Sequence, residues 1–357
     1  MPSTQTTVVS NGDIDFYFTS VNTSYLRALK GNNKALYPKI AYVPPAGVQT
    51  VEKVPMLGTG GAVVNGTRIK FPISLAASAP RIWQEGEPRP IEPFSSVEVA
   101  VDMRRWCVPS KREHYDQFTS DIFGIIQGQM PQMMDRSMIL WDRVLAETIA
   151  NNAVWDVDQV PFFTPISAPH YGNPLKKLYP YASDFSISGI DEPNMRLLIS
   201  ALENNPGPDG LPLDTDDVKL IVLAPTKDMA IQLKNVFNAV IAAVEVNANA
   251  GASRTNQMVG EAEVMTFKQL ARTTNAPVFG GTAQDRGKVG YILAVPSGED
   301  RPLAVVPRRQ PTAYYTGFNG ADHLRASQGA VEFGWDAFGA AKLMLPTRAL
   351  RFVVNPV

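Results

Sequence analysis

The stretch that most constrains this chain runs from Asp116 to Asn152. Its apolar residues, Phe118, Ile122, Ile126, Met130, Met133, Met134, Met138, Trp141, Leu145 and Ile149, recur at helical spacing. A strand repeats every second residue, so the pattern predicts one long amphipathic helix that serves as a spine. Pro131 lies inside it. Proline removes a backbone donor and crowds the preceding turn, which predicts a kink or a break there. Gly124 and Gly128 weaken the first half further. Asp135, Arg136, Asp142, Arg143 and Glu147 are expected to keep the opposite face of the second half in water.

The segments before the spine have little to bury against themselves. Residues 1–55 read as an arm. Tyr37–Pro45 contains three prolines, which favour extended backbone and suit an edge strand or a path outside any sheet. Leu57-Gly58-Thr59-Gly60-Gly61 reads as a turn, because no basic residue or helix start follows to hold a phosphate. Asn65-Gly66, between Val63-Val64 and Arg68–Phe71, predicts a hairpin turn. A charged loop, Arg81–Pro90, precedes a clean alternation. Val97, Val99, Val101 and Met103 point one way, and Glu98, Ala100, Asp102 and Arg104 the other. That is a strand with one buried face. A two-stranded ribbon does not hold together alone in water, so its apolar face must lie on something else.

After the spine, Phe162-Phe163 and a loop around His170 lead to a second compact unit near Asp191. Glu192 and Pro193 open a helix with Met195, Leu198, Ile199 and Leu202 on its inner face. Leu220–Ala224 reads as a buried strand. Thr226 is placed to cap a helix carrying Met229, Leu233, Phe237, Val240 and Ile241. Further strands are expected at Glu263–Phe267, Val289–Val295 and Leu303–Val306. Leu350–Val354 reads as a late strand returning to an earlier sheet.

Composition narrows the function. The chain has 33 basic and 34 acidic residues, a net charge of −1, which argues against sequence-specific DNA binding by many phosphate contacts. No run of about 18 apolar residues occurs, and Met1–Gly12 lacks the basic and apolar regions of a signal peptide. Cys107 is the single cysteine, so disulfides within the chain and thiolate metal sites are excluded, which fits folding in a reducing cytoplasm. At the end of an apolar strand, it reads as a small buried hydrophobe rather than a nucleophile. Gly281–Lys288 has the wrong spacing for a phosphate-binding loop, and Val289 stands where a magnesium-binding hydroxyl belongs. His114, His170 and His323 are isolated and show no ligand spacing. No cofactor or metal is expected. The methionines of the spine read as helix core.

An arm, an unsupported ribbon and two cores without a catalytic constellation suit a chain that completes its packing with other copies of itself. The order of parts resembles the major capsid proteins of tailed phages with the Hong Kong 97-type fold, most closely the Mu-like head subunit group. The residues that carry the resemblance start with Ser24–Leu29, Tyr37–Ala41, Leu57-Gly58 and Trp83 with Glu85-Gly86-Glu87. The alternating strand into Arg104 and the spine follow, then Phe162-Phe163 with His170, and Gly210–Leu213 ahead of Leu220–Pro225. Glu113-His114-Tyr115-Asp116 departs from the paired acidic residues expected of the Mu-like group.

The resemblance implies an α+β fold with an N-terminal arm (1–55), an extended β-hairpin loop with its flanking strands (56–115) and a peripheral domain on the spine helix (116–190). An axial domain (191–320) and a C-terminal return to the peripheral domain (321–357) complete it. It also implies no catalysis, self-assembly through hexamers and pentamers, an enclosed double-stranded DNA genome, and separate scaffold, portal and decoration proteins. The location would be the virion, with assembly in the host cytoplasm. Arg81, Trp83, Glu85, Glu87 and Arg89 of the loop, and Tyr25 and Tyr37 of the arm, would contact neighbouring subunits. No lysine occurs between Lys70 and Lys111, so a loop lysine cross-link to Asn355 is not expected. Two other readings compete: a nanocompartment shell around protein cargo, and an α/β enzyme using Gly280–Lys288 and His323.

Overall fold

The computed structural model describes residues 23, 35–57, 63–74, 96–114, 132–133, 135–155, 160–164, 181–205, 218–238, 258–271, 288–298, 300–316 and 323–354. They fall into two compact units. The first draws on Met1–Leu36, Met103–Asp142 and Val306–Ala340; the second on Tyr37–Asp102, Arg143–Val305 and Ala341–Val357. Helices accompany sheets whose strand pairs are largely antiparallel, which makes the fold α+β.

In the second unit, a five-stranded sheet has the order β6-β12-β9-β7-β8, formed by Asp184–Ile187, Ala349–Val354, Val289–Val295, Lys219–Ala224 and Ala262–Thr266. β7 and β8 are parallel, as are β12 and β6; β9 runs antiparallel to both of its neighbours. Helix α3, Glu192–Glu203, starts where the sequence places it. Asp191 caps it by accepting the Asn194 N–H at 2.9 Å, and Pro193 sits in its first turn, where a missing N–H costs nothing. Helix α4, Lys227–Asn238, begins after Thr226, whose hydroxyl accepts the Met229 N–H at 3.2 Å. Met195, Leu198, Ile199 and Leu202 of α3 and Met229, Leu233 and Phe237 of α4 share one core with Leu220, Val222, Ile292, Leu350 and Phe352. The registers put those strand residues on one face, so both helices cover the same side of the sheet. Each such side chain, fully buried, contributes about 1.5–3 kcal/mol.

The other face carries Ile221, Leu223, Tyr291 and Leu293, all buried. Phe163 lies against Tyr291, with ring centroids 5.4 Å apart, and Phe162 packs edge-on to Phe163. Helix α2, Leu140–Ala150, ends at Asn152, which holds a left-handed backbone with φ 46°. Its side-chain amide accepts the Phe163 N–H at 2.6 Å and donates to the Phe163 carbonyl at 2.9 Å. One residue thus closes the helix and fixes the aromatic pair against the sheet. Arg351 donates from Nε to Asp184 at 2.9 Å and sits 5.7 Å over the Phe163 ring. Its pKa is raised: burial opposes this, but the hydrogen bond and attraction to Asp184 outweigh it.

A three-stranded antiparallel ribbon belongs to the same unit: β2 (Thr50–Leu57), β3 (Val63–Ser74) and β4 (Ser96–Asp102). The arm's root precedes it. Tyr37–Ile40 form a single helical turn, α1, rather than the extended path that the prolines suggested. Ala41–Tyr42 then form a short edge strand, β1, parallel to Leu303–Ala304 at the start of β10, Leu303–Thr316. Arg301 secures the turn, donating from Nη1 to the carbonyls of Pro38 at 2.9 Å and Ala41 at 3.0 Å.

In the first unit, β5 (Arg104–His114) pairs antiparallel with β11 (Ala330–Leu343), which neighbours β10. β10 extends well past the expected Val306 despite Pro307 and Pro311. Beyond Ala304 it has only β11 as a described partner, and prolines are tolerated on such an open edge. Trp141 is fully buried and donates its ring N–H to Gln310 at 2.8 Å; its ring occupies the space a side chain at Gly339 would need.

Several expectations are corrected here. Asp142 and Glu147 are not in water: they are 3% and 1% exposed. Asp142 faces inward because both of its oxygens accept the Leu36 N–H at 3.0 Å, a use of charge that periodicity does not reveal. Cys107 is exposed rather than buried. Strand alternation gives the inner side to Trp106, whose ring N–H reaches the Gly339 carbonyl at 2.8 Å. The alternating run does not pass into Arg104 as one strand, since β4 ends at Asp102 and β5 joins a different sheet. The spine before Gln132, with Pro131, lies outside the described residues; helical residues at 132–133 and 135–138 lead into α2.

Candidate intersubunit surface

The ribbon was expected to need outside support, and half of it does not. On one face Ile69, Phe71, Ile73, Val99 and Val101 are 4% exposed or less within this chain. Tyr42 of the arm's root lies 6.2 Å from the Phe71 ring. The opposite face is an ion-pair ladder. Arg68 meets Asp102 at 2.6 Å, and Lys70 stands between Glu52 at 3.1 Å and Glu98 at 3.6 Å. The Lys70 pKa is raised by its hydrogen bond and attraction to Glu52, with Glu98 adding to it. Solvent screens pairs this exposed, so the ladder sets strand register more than stability.

The far end of the hairpin is different. Asn65-Gly66 is not a turn: β3 runs straight through it, pairing Asn65 with Pro55 and Gly66 with Val54. The half-buried Met56 side chain lies over Gly66, in the place a Cβ there would take. The connection between β2 and β3 falls in the glycine-rich stretch 58–62, outside the described residues. Val63 and Val64 are 73% and 48% exposed, an apolar end with nothing described over it.

Of the residues expected to contact neighbours, Tyr37 is described and is 6% exposed in its own chain. Tyr25, Arg81, Trp83, Glu85, Glu87 and Arg89 lie outside the described residues, as do His170 and Gly281–Gly287. Lys288 is exposed. No group of three or more His, Cys, Asp or Glu side chains that could hold a metal occurs among the described residues. An open groove of about 560 Å³ lies between the starts of β7 and β8, spanned by a Lys219–Glu263 ion pair. It presents a paired lysine and glutamate with Glu261 beside them, not a nucleophile with a base. Among the described residues no helix is long and apolar enough to cross a membrane.

No family model and no curated protein matches the sequence. Among solved structures the chain is similar to the capsid structure of the cyanophage P-SCSP1u, with 11% identity, a TM-score of 0.49, and 81% of this chain and 84% of that one covered. It is similar to a Mycobacterium phage Patience structure at 12% identity and a TM-score of 0.46, covering 99% and 91%. A virus-like particle from Pyrococcus furiosus matches at 10% identity and a TM-score of 0.39, covering 94% and 99%. Scores below 0.5 at such identities leave the chain's own residues to carry any functional conclusion.

Proposed function

We propose that this chain is the major capsid subunit of a tailed phage with the Hong Kong 97-type fold, in or near the Mu-like group. It self-assembles through hexamers and pentamers into an icosahedral shell that encloses double-stranded DNA, and performs no catalysis. The observation that carries the proposal is the ribbon. Its base is buried and ion-paired within its own subunit, while its end exposes Val63 and Val64. A monomer has no use for that apolar end, and a shell subunit covers it with another copy. The order of arm root, ribbon, helix and sheet in one chain supports the same reading.

In it, the loop residues Arg81, Trp83, Glu85, Glu87 and Arg89 and the arm residue Tyr25 lie over neighbours, with Tyr37 fixing the root from which the arm leaves. Residues 116–190 and 191–320 are the peripheral and axial domains. Scaffold and portal proteins are separate chains, and assembly takes place in the host cytoplasm.

Negative-stain electron microscopy of the purified chain, alone and with a co-expressed scaffold, tests this. Polyhedral particles or hexamer and pentamer rings are expected. Only small particles in both preparations would overturn it. Removing residues 1–20, or Trp83–Pro90, should block assembly and leave the folded core intact. Absorbance at 260 nm in purified native particles separates a genome shell from one that encloses proteins.

A further inference from the structure

The three strands of the ribbon do not end together. β4 pairs with Arg68–Ser74 of β3 and stops, while β2 continues along β3 to Val63. Val63–Thr67 therefore has a partner strand on one side and, among the described residues, none on the other. Proteins guard such edges with charge, proline or a bulge, because unpaired N–H and C=O groups recruit extended chain. The outer strands are guarded: β2 carries Glu52, Lys53 and Pro55, and β4 carries Glu98 and Asp102. Val63-Val64-Asn65-Gly66-Thr67 has neither charge nor proline, and both valines are exposed.

We propose that this bare edge is a self-pairing site, where β3 of one copy adds antiparallel to β3 of a second about a two-fold axis through Asn65. The stretch is self-complementary in that register. Asn65 faces its own equivalent, and two side-chain amides can pair across the axis. Val64 of each copy faces Gly66 of the other. Met56 covers Gly66, so each Val64 comes to rest beside a methionine instead of water. Val63 faces Thr67, and no like charges oppose. A two-fold contact needs one patch that matches itself, and this is such a patch. Five residues bury little area, so the contact is one of several in the assembly. It rests on the shell reading only in that many copies stand within reach.

The test is cysteine cross-linking in the full-length chain with Cys107→Ser as background. Facing Cα atoms in an antiparallel pair stand about 4.5–5.5 Å apart, within the span of a disulfide. Asn65→Cys alone should yield covalent dimers under mild oxidation. Val63→Cys alone should not, and Val63→Cys with Thr67→Cys should regain them. Val64→Lys added to Asn65→Cys should abolish the dimer without shifting the monomer's melting temperature. Particles without an Asn65→Cys dimer would overturn the self-pairing site and leave the shell reading standing. Dimers formed as readily by Val63→Cys alone would overturn the register and the proposal with it. The Asn65→Cys dimer in protein that forms no particle would support the site and remove the shell reading.

Discussion

The five-stranded sheet and the ribbon come from the same unit and use similar residues, yet they finish their packing differently. In the sheet both faces are covered from within the chain, one by α3 and α4 and the other by Phe162 and Phe163. In the ribbon one face is covered only as far as Ile69, and beyond it β2 and β3 continue into solvent. Valine in the sheet therefore stabilises the fold, while valine at the ribbon's end stabilises nothing until another surface arrives. A β-branched apolar residue marks a strand in both places, and the surrounding layers alone decide what it is for.

That contrast can be broken by mutation, starting where the effect is largest. Leu223→Ala, at a fully buried site in β7, should cost about 2–5 kcal/mol in a denaturant titration, since the sheet has covered layers on both sides and cannot collapse into the space. Gly290→Ala should cost about 1–3 kcal/mol, because the Phe352 ring occupies the position of the new Cβ and is itself locked in the core. Asp191→Ala should cost about 1 kcal/mol by freeing the first turn of α3, with Asp191→Asn restoring most of it. At the ribbon's end Val63→Thr should change monomer stability by less than about 0.5 kcal/mol, yet reduce assembly measured by light scattering. A melting temperature lowered by Val63→Thr as far as by Leu223→Ala would erase the distinction between the two regions.

The covered region was the more legible of the two. Caps, turns and periodic apolar residues act over a few positions, so Asp191, Pro193 and Thr226 announced α3 and α4, and Val289–Val295 matched β9 at both ends. Leu350–Val354 was visible as a strand, but its place between β6 and β9 was not, because strand neighbours are chosen across long stretches of chain. Asn65-Gly66 misled for a related reason. It has the chemistry of a tight turn, but pairing with Val54 and Pro55 carries it straight through as strand, with Met56 lying over the glycine. Asp142 misled because helical periodicity sorts residues by type, while a distant backbone N–H at Leu36 can draw a carboxylate inward. Cys107 misled because only the pairing with β11 shows which side of β5 faces in. Of the candidate contact surface, the alternating strand into Asp102 was legible. The exposed end was not, since exposure depends on what fails to pack there.

The sequence by itself determined part of the local grammar: β7 and β9 as strands, where α3 and α4 begin, and which face of β4 is apolar. Tertiary structure alone decided the order of strands in each sheet and the inward turn of Asp142. It also decided the bare edge at Val63–Thr67. Local signals depend on neighbours a few residues away, whereas strand order and burial depend on contacts between residues far apart in the chain, which no short pattern encodes.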